Sequence, residues 1–286
     1  MPFDTFVLDH ESAIRLGFFL GTFVLLALWE YLAPRRTSRT AKAVRWSNNV
    51  ALAAANMLML RVLIPLAGVG LAAFVNERGT GLLNMLPVPY VVAIVVSLLA
   101  FDLAVYLVHL AFHNAPVLWR MHRLHHADVD VDVATAVRFH PIQVLLSTLV
   151  KFAVITALGT PVLAVLLFET IFHALLLFNH ANVRVPPAVD RLLRWFVVTP
   201  DMHRIHHSVR PAETNSNYGF ALPWWDRLFG TYGAAPAAGH ERMTLGIEAF
   251  RAPRDLWLDR MLLNPMLDER SSRNGSSDPA LTNVGT

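Results

Sequence analysis

The sequence contains no cysteine. Disulfides, cysteine-based zinc fingers and thiolate-ligated iron–sulfur clusters are therefore excluded. Charge is also scarce: Asp, Glu, Lys and Arg make up 16% of the 286 residues, against 55% hydrophobic residues. With a mean hydropathy of +0.44, that balance places the chain among membrane proteins. The formal net charge is only +3, and no basic stripe with interleaved aromatics is present, so nucleic acid is not expected as a partner. Residues 1–12 lack the positive leader and small-residue cleavage site of a signal peptide. There is no His-Glu-x-x-His motif, which a zinc hydrolase of that type needs for its general base. No fused haem or flavin module is evident, so any redox chemistry would draw electrons from a separate protein.

What the chain does have is histidine. Eight of its thirteen histidines fall in three spaced clusters: His109-x3-His113, His122-x2-His125-His126 and His203-x2-His206-His207. Residues three and four apart share a helix face, so each cluster is expected to aim its imidazoles at one point. Neutral imidazole suits iron, zinc, copper and nickel. Eight imidazoles exceed one metal's needs and would supply two metals with open positions. His10 and His240 have no such partners and are expected to be ordinary.

Hydrophobic runs surround the clusters. Residues 13–33 suit a first span, ending at the interfacial aromatics Trp29 and Tyr31. The loop 34–46 carries Arg35, Arg36, Arg39, Lys42 and Arg45, and by its charge should face the cytoplasm. A second span is expected over 48–75, interrupted by Arg61 and Pro65, and a third over 88–108, which delivers His109 and His113 to the end where the basic loop lies. Residues 142–178 read as two helices broken at Gly159-Thr160-Pro161, either crossing the bilayer or re-entering it. The fold class is thus an all-α integral membrane protein of about four to five hydrophobic helices with a cytoplasmic, histidine-rich helical cap. Residues 1–263 are expected to form a single membrane-embedded domain and 264–286, rich in Ser, Asn, Gly and Asp, a disordered tail. FRAPRDLWLDRMLL (250–263) reads as an interfacial helix.

The order HxxxH, HxxHH, HxxHH between hydrophobic spans resembles the fatty acid hydroxylase/sterol desaturase superfamily of membrane di-iron enzymes. FDLAVYLVH (101–109), RFHP (138–141), ETIFH (169–173), NSNYG (215–219) and WDRLFGTY (225–232) also fit its pattern, and the likeness covers about 90–235. Leu110, where the family often has Arg, and Gln143, where an acid is common, depart from it. The resemblance implies two non-haem iron ions held by the eight motif histidines, dioxygen as co-substrate, and hydroxylation or desaturation of a lipid C–H bond. It also implies a lipid substrate drawn from the bilayer and an electron donor such as a ferredoxin, or a small cytochrome with its reductase. The compact Ala/Arg/Leu-rich style points to a bacterial inner membrane. A metal transporter or metal-binding membrane protein is the alternative, although transporters hold ligands near the bilayer midplane. Around the ligands, Asp102 and Tyr106 precede His109 on one face. An acid inside a span is a functional candidate and could accept a ring N–H from a metal-bound histidine; a helix–helix contact is the other reading. Glu169, His173 and His180 share one rough face. His180 is the better candidate for a further ligand, with Glu169 and His173 in a supporting role. His140, before Pro141, is expected to support the site or the fold.

Overall fold

The structure, a computed structural model, describes residues 2–269. Among the described residues there are α-helices and short 3-10 turns but no strand, as an all-α chain requires. The first half comprises α1 (Pro2–Leu32), α2 (Lys42–Leu63), α3 (Gly68–Glu77), the single turn α4 (Leu82–Met85), α5 (Tyr90–Asn114) and α6 (Pro116–His126). Next come α7 (Pro141–Leu158) and α8 (Val162–His180), then the short helices α9 (Pro187–Leu193), α10 (Pro200–His206), α11 (Pro211–Thr214), α12 (Trp224–Leu228), α13 (Gly239–Arg242) and α14 (Leu258–Leu263).

Among the described residues, five segments are long and apolar enough to cross a membrane: Asp9–Leu32, Lys42–Met85, Tyr90–Asn114, Pro141–Leu158 and Val162–His180. The chain is a multi-pass integral membrane protein. α1 turns Leu16, Phe18, Leu20, Val24, Leu25 and Leu28 outward, a surface that suits acyl chains and not water. The second span departs from its expected bounds. α2 stops at Leu63, because Pro65 has no N–H to continue the ladder, and α3 restarts the helix at Gly68. The Gly159-Thr160-Pro161 break is as expected: Gly159 closes α7 at φ 67°, a conformation glycine adopts without strain. α3 and α5 pack against both α7 and α8, and Val69, Ala72, Phe101, Ile155, Val165 and Phe168 form the core between them.

The cap is fastened by buried ions rather than by apolar packing alone. Arg45 of α2, fully buried, meets Asp128 at 2.7 Å and Asp132 at 2.8 Å. Glu30 near the end of α1 accepts the backbone N–H groups of Val133 and Asn182, each at 2.7 Å. Asp130 accepts from the backbone of Arg39 and Thr40, both at 2.8 Å. The basic loop and the histidine segments therefore lie at the same end of the bundle. Arg123 donates to the carbonyls of Asn264 and Leu267 at 2.5 and 2.7 Å. The segment expected to be disordered from 264 is thus ordered through 269, because these carbonyls satisfy a buried guanidinium. The remainder of that expected tail, 270–286, lies outside the described residues. The interfacial helix expected over 250–263 is shorter, a 3-10 turn at Pro253–Leu256 followed by α14, with Met261 buried against Leu52 and Leu124.

Candidate metal centre

Three local devices present the histidines. α5 carries His109 and His113 one turn apart at its last turns. α6 starts at Pro116, where the missing N–H costs nothing, and ends on His122, His125 and His126. α10 starts after Thr199, whose hydroxyl accepts the N–H of Met202 at 3.3 Å, and displays His203 and His206, with His207 following.

The imidazoles converge as two groups: His109, His113, His122, His126 and His206 in one, His125, His180, His203 and His207 in the other. Within each, the candidate ligand atoms lie within 4.8 Å of one another. The expectation that each triad aims at one point is corrected. His122 and His126 serve the first group while His125 serves the second; His203 and His207 serve the second while His206 serves the first. Neighbouring residues on a helix point about 100° apart, so 125 and 126 cannot share a target. The two groups adjoin, with the His126 and His207 rings stacked at 4.6 Å.

The ring nitrogens test the fit to a metal. In the first group His109 Nε2 lies 3.0 Å from both His122 Nε2 and His206 Nε2, and His126 Nε2 lies 3.1 Å from those of His113 and His122. In the second, His180 Nε2 lies 3.0 Å from His125 Nε2 and 3.1 Å from His203 Nε2. The His109–His206 pair cannot be a hydrogen bond between neutral rings. His109 Nδ1 donates to the Tyr218 carbonyl at 2.6 Å and His206 Nδ1 to the Ser216 carbonyl at 2.7 Å, so both Nε2 atoms carry lone pairs. Lone pairs 3.0 Å apart repel unless a cation lies between them. A metal–nitrogen distance of about 2.1 Å puts ligands at right angles about 3.0 Å apart, and tetrahedral ones about 3.4 Å apart. The observed spacing fits right angles.

Burial supports the neutral form. With neighbouring imidazoles it holds His125, His126, His203, His206 and His207 well below the ordinary imidazole value, and His122 at about 3. Phe220 lies beside both groups, stacked on His109 at 4.5 Å and 5.4 Å from His203.

His180 joins the second group, its Nδ1 donating to the Leu176 carbonyl at 2.8 Å. Asp102 touches no histidine: it accepts the Leu222 N–H at 3.3 Å and the Trp225 indole N–H at 2.8 Å. The Tyr106 hydroxyl pairs with Thr231 at 2.9 Å. Both therefore anchor the 218–232 segment. Glu169 binds Arg15 and Lys151, away from the groups, since two cations claim its carboxylate. His173 donates to the Glu169 carbonyl at 2.6 Å. His140 caps α7, accepting from Ile142 N at 3.2 Å, and its Nε2 donates to the Leu262 carbonyl at 3.1 Å.

One contribution was hidden in the NSNYG stretch. Asn217 sits at φ 53°, a left-handed conformation that Asn tolerates, and the carbonyls on either side of it, Ser216 and Tyr218, are the ones that receive His206 and His109. Asp226 braces this turn by accepting the Tyr218 and Gly219 N–H groups at 2.8 Å each; burial pushes its carboxyl up to about 6.

The family model described as fatty acid hydroxylase matches residues 94–231. The ornithine lipid hydroxylase OlsE of Rhizobium tropici is 32% identical over 148 residues, covering 52% of this chain and 44% of that protein. The alkylglycerol monooxygenase of Xenopus tropicalis is 30% identical over 141 residues, 48% of this chain and 29% of that protein. The cholesterol 25-hydroxylase of Rattus norvegicus is 28% identical over 160 residues, 54% and 51%. The chain thus spans about half or less of the length of these relatives. No solved structure matches it. All eight motif histidines and His180 fall inside residues 94–231, the part of the chain that matches the fatty acid hydroxylase family model.

Proposed function

We propose that this chain is an oxygen-dependent lipid hydroxylase whose histidine groups hold two non-haem irons. One observation carries the reading: nine imidazoles gather as five and four with ring nitrogens at right-angle spacing. His109, His113, His122, His126 and His206 would hold one iron; His125, His180, His203 and His207 would hold the other. When bound, the irons supply the reduction of dioxygen that oxidises an unactivated C–H bond, with the balance R–H + O2 + 2e− + 2H+ → R–OH + H2O. Desaturation of the same substrate is the other outcome; the relatives' names, hydroxylases and a monooxygenase, favour hydroxylation.

The chain's own part is to orient and to exclude water. The Tyr218, Ser216 and Leu176 carbonyls hold three rings in one tautomer, which fixes each ring and raises its basicity as a ligand. Phe220, backed by Phe172 at 5.9 Å, gives both groups an apolar wall toward α8, where an acyl chain or sterol could approach. The substrate comes from the bilayer, and the two electrons come from a ferredoxin or a small cytochrome with its reductase. The histidine end is cytoplasmic, since the basic loop lies there, and the membrane is a bacterial inner membrane. Residues 1–263 act as one membrane-embedded domain.

The test is elemental analysis and Mössbauer spectroscopy of the detergent-purified protein, followed by mass spectrometry of lipids exposed to isotopically labelled dioxygen. About two coupled irons per chain are expected, as in other helical di-iron sites, with one labelled hydroxyl in the product lipid. Absence of bound metal, with turnover indifferent to chelators, would overturn the proposal.

A further inference from the structure

The segment that supplies carbonyls to the histidines also reaches down the side of α5. Asp102 stands at the midpoint of that helix, 12 residues from either end, or about 18 Å at about 1.5 Å per residue. A hydrocarbon layer about 30 Å thick, crossed by a helix about 37 Å long, leaves this position about 11 Å or more inside its boundary. Yet it is here that Asp102 receives Leu222 and Trp225. One turn on, Tyr106 stacks on Phe229 at 5.5 Å. Residues 195–198 lie alongside at the same level: the Trp224 indole donates to the Trp195 carbonyl at 2.7 Å, and Val198 N donates to the Ala221 carbonyl at 2.9 Å.

These neighbouring segments turn Leu192, Trp195, Phe196, Trp224, Leu228 and Phe229 outward, Phe196 being 58% and Leu228 70% exposed. Arg227 lies over the Trp195 and Tyr232 rings at 4.3 and 4.1 Å. A cluster of large apolar side chains mixed with Trp, Tyr and Arg is the composition of a membrane interface, and α5 itself exposes Leu107 beside Tyr106. The patch thus adjoins the lipid-facing surface of a span, beside the half of α5 that runs from Asp102 toward the histidines.

We propose that α9, α12 and the turns after them form an in-plane wedge seated in the leaflet on the histidine side, with lipid acyl chains as its partner. The wedge does not depend on the reaction. Granting the hydroxylase reading, it also brings acyl chains close to Phe220, beside both histidine groups, without lifting a lipid out of the bilayer.

The absence of cysteine makes the test direct, because single-cysteine variants take one spin label each. Phe196→Cys and Leu228→Cys are labelled in vesicles of phosphatidylcholine and phosphatidylglycerol. Val95→Cys, on an exposed face of α5, calibrates the bilayer interior, and Val117→Cys, exposed on α6, calibrates the aqueous side. Labels at 196 and 228 are expected to collide with oxygen in preference to a water-soluble nickel chelate, with a ratio several-fold above that at 117 and approaching that at 95. A ratio equal to that at 117 overturns the wedge. So do labels screened from both reagents and broadened by a second label, which would assign the patch to a contact between copies. The exposed positions chosen leave the packing intact. Accessibility requires neither metal nor turnover, so failure of the hydroxylase reading would leave this result standing.

Discussion

At the scale of single residues, the split of the histidines into five and four makes His180 and His140 opposites. His180 is one of only four imidazoles in its group; His140 caps a helix. His180→Ala should lower bound iron from about two per chain toward one, with the first group still loaded. His140→Ala should leave iron unchanged and cost about 1 kcal/mol of stability, the usual size of a lost helix cap. Metal analysis beside a thermal melt separates the two, and equal iron in both variants would refute the assignment of His180. The motif histidines were legible because helical spacing advertises them. That each triad must divide follows from helix geometry, since the adjacent residues 125 and 126 point about 100° apart, but which triad member joins which group depends on α8 bringing His180 to its place. The roles of Asp102 and Tyr106 were not legible: their partners, Trp225 and Thr231, lie more than a hundred residues away.

At the scale of elements, α6 is a helix of only 11 residues and cannot be stable by its own hydrogen bonds. Tertiary ties from the chain beyond its C-terminus hold it in place. Asp128 and Asp132 are drawn onto Arg45 of α2, Arg138 donates to the Leu124 carbonyl at 3.0 Å, and Arg123 clasps the 264–267 turn. Removing one partner of a buried pair costs more than removing both, because the survivor is left charged and unpaired. Arg45→Met should therefore destabilise the protein by about 3–5 kcal/mol, and adding Asp128→Asn should recover part of that loss. Melting temperatures of the wild type, the single and the double variant decide it, and a double variant no better than the single would mean that Asp132 alone dictates the penalty. The spans were legible as apolar runs and the hairpin break as Gly-Thr-Pro. The clasp was not, because Arg45 reads in sequence as one more cation in a basic loop, and only the fold turns it inward.

At the scale of the whole molecule, the buried imidazoles set how the protein answers to acid. A histidine whose folded pKa lies below its unfolded value contributes stability that is fully present above about pH 6.5 and is lost as pH falls toward the folded value. His122, His125, His126, His203, His206 and His207 all shift in this direction. Each can remove up to about 1.4 kcal/mol per pH unit once the unfolded chain is protonated. Two buried carboxyls work the other way: burial raises Asp226 and Asp132, so their charge costs stability near neutrality and that cost fades in acid. Six imidazoles outweigh two carboxyls, and bound metal adds to the same side because protons compete with it for the nitrogens. The melting temperature in detergent should therefore fall steeply between about pH 7 and about pH 5, with iron released over the same interval. His122→Gln should make that fall shallower, as one fewer ring takes up a proton on unfolding. A melting temperature flat across this interval would mean that these rings are already protonated or open to water in the folded protein, and neither state is compatible with a nitrogen-ligated metal centre.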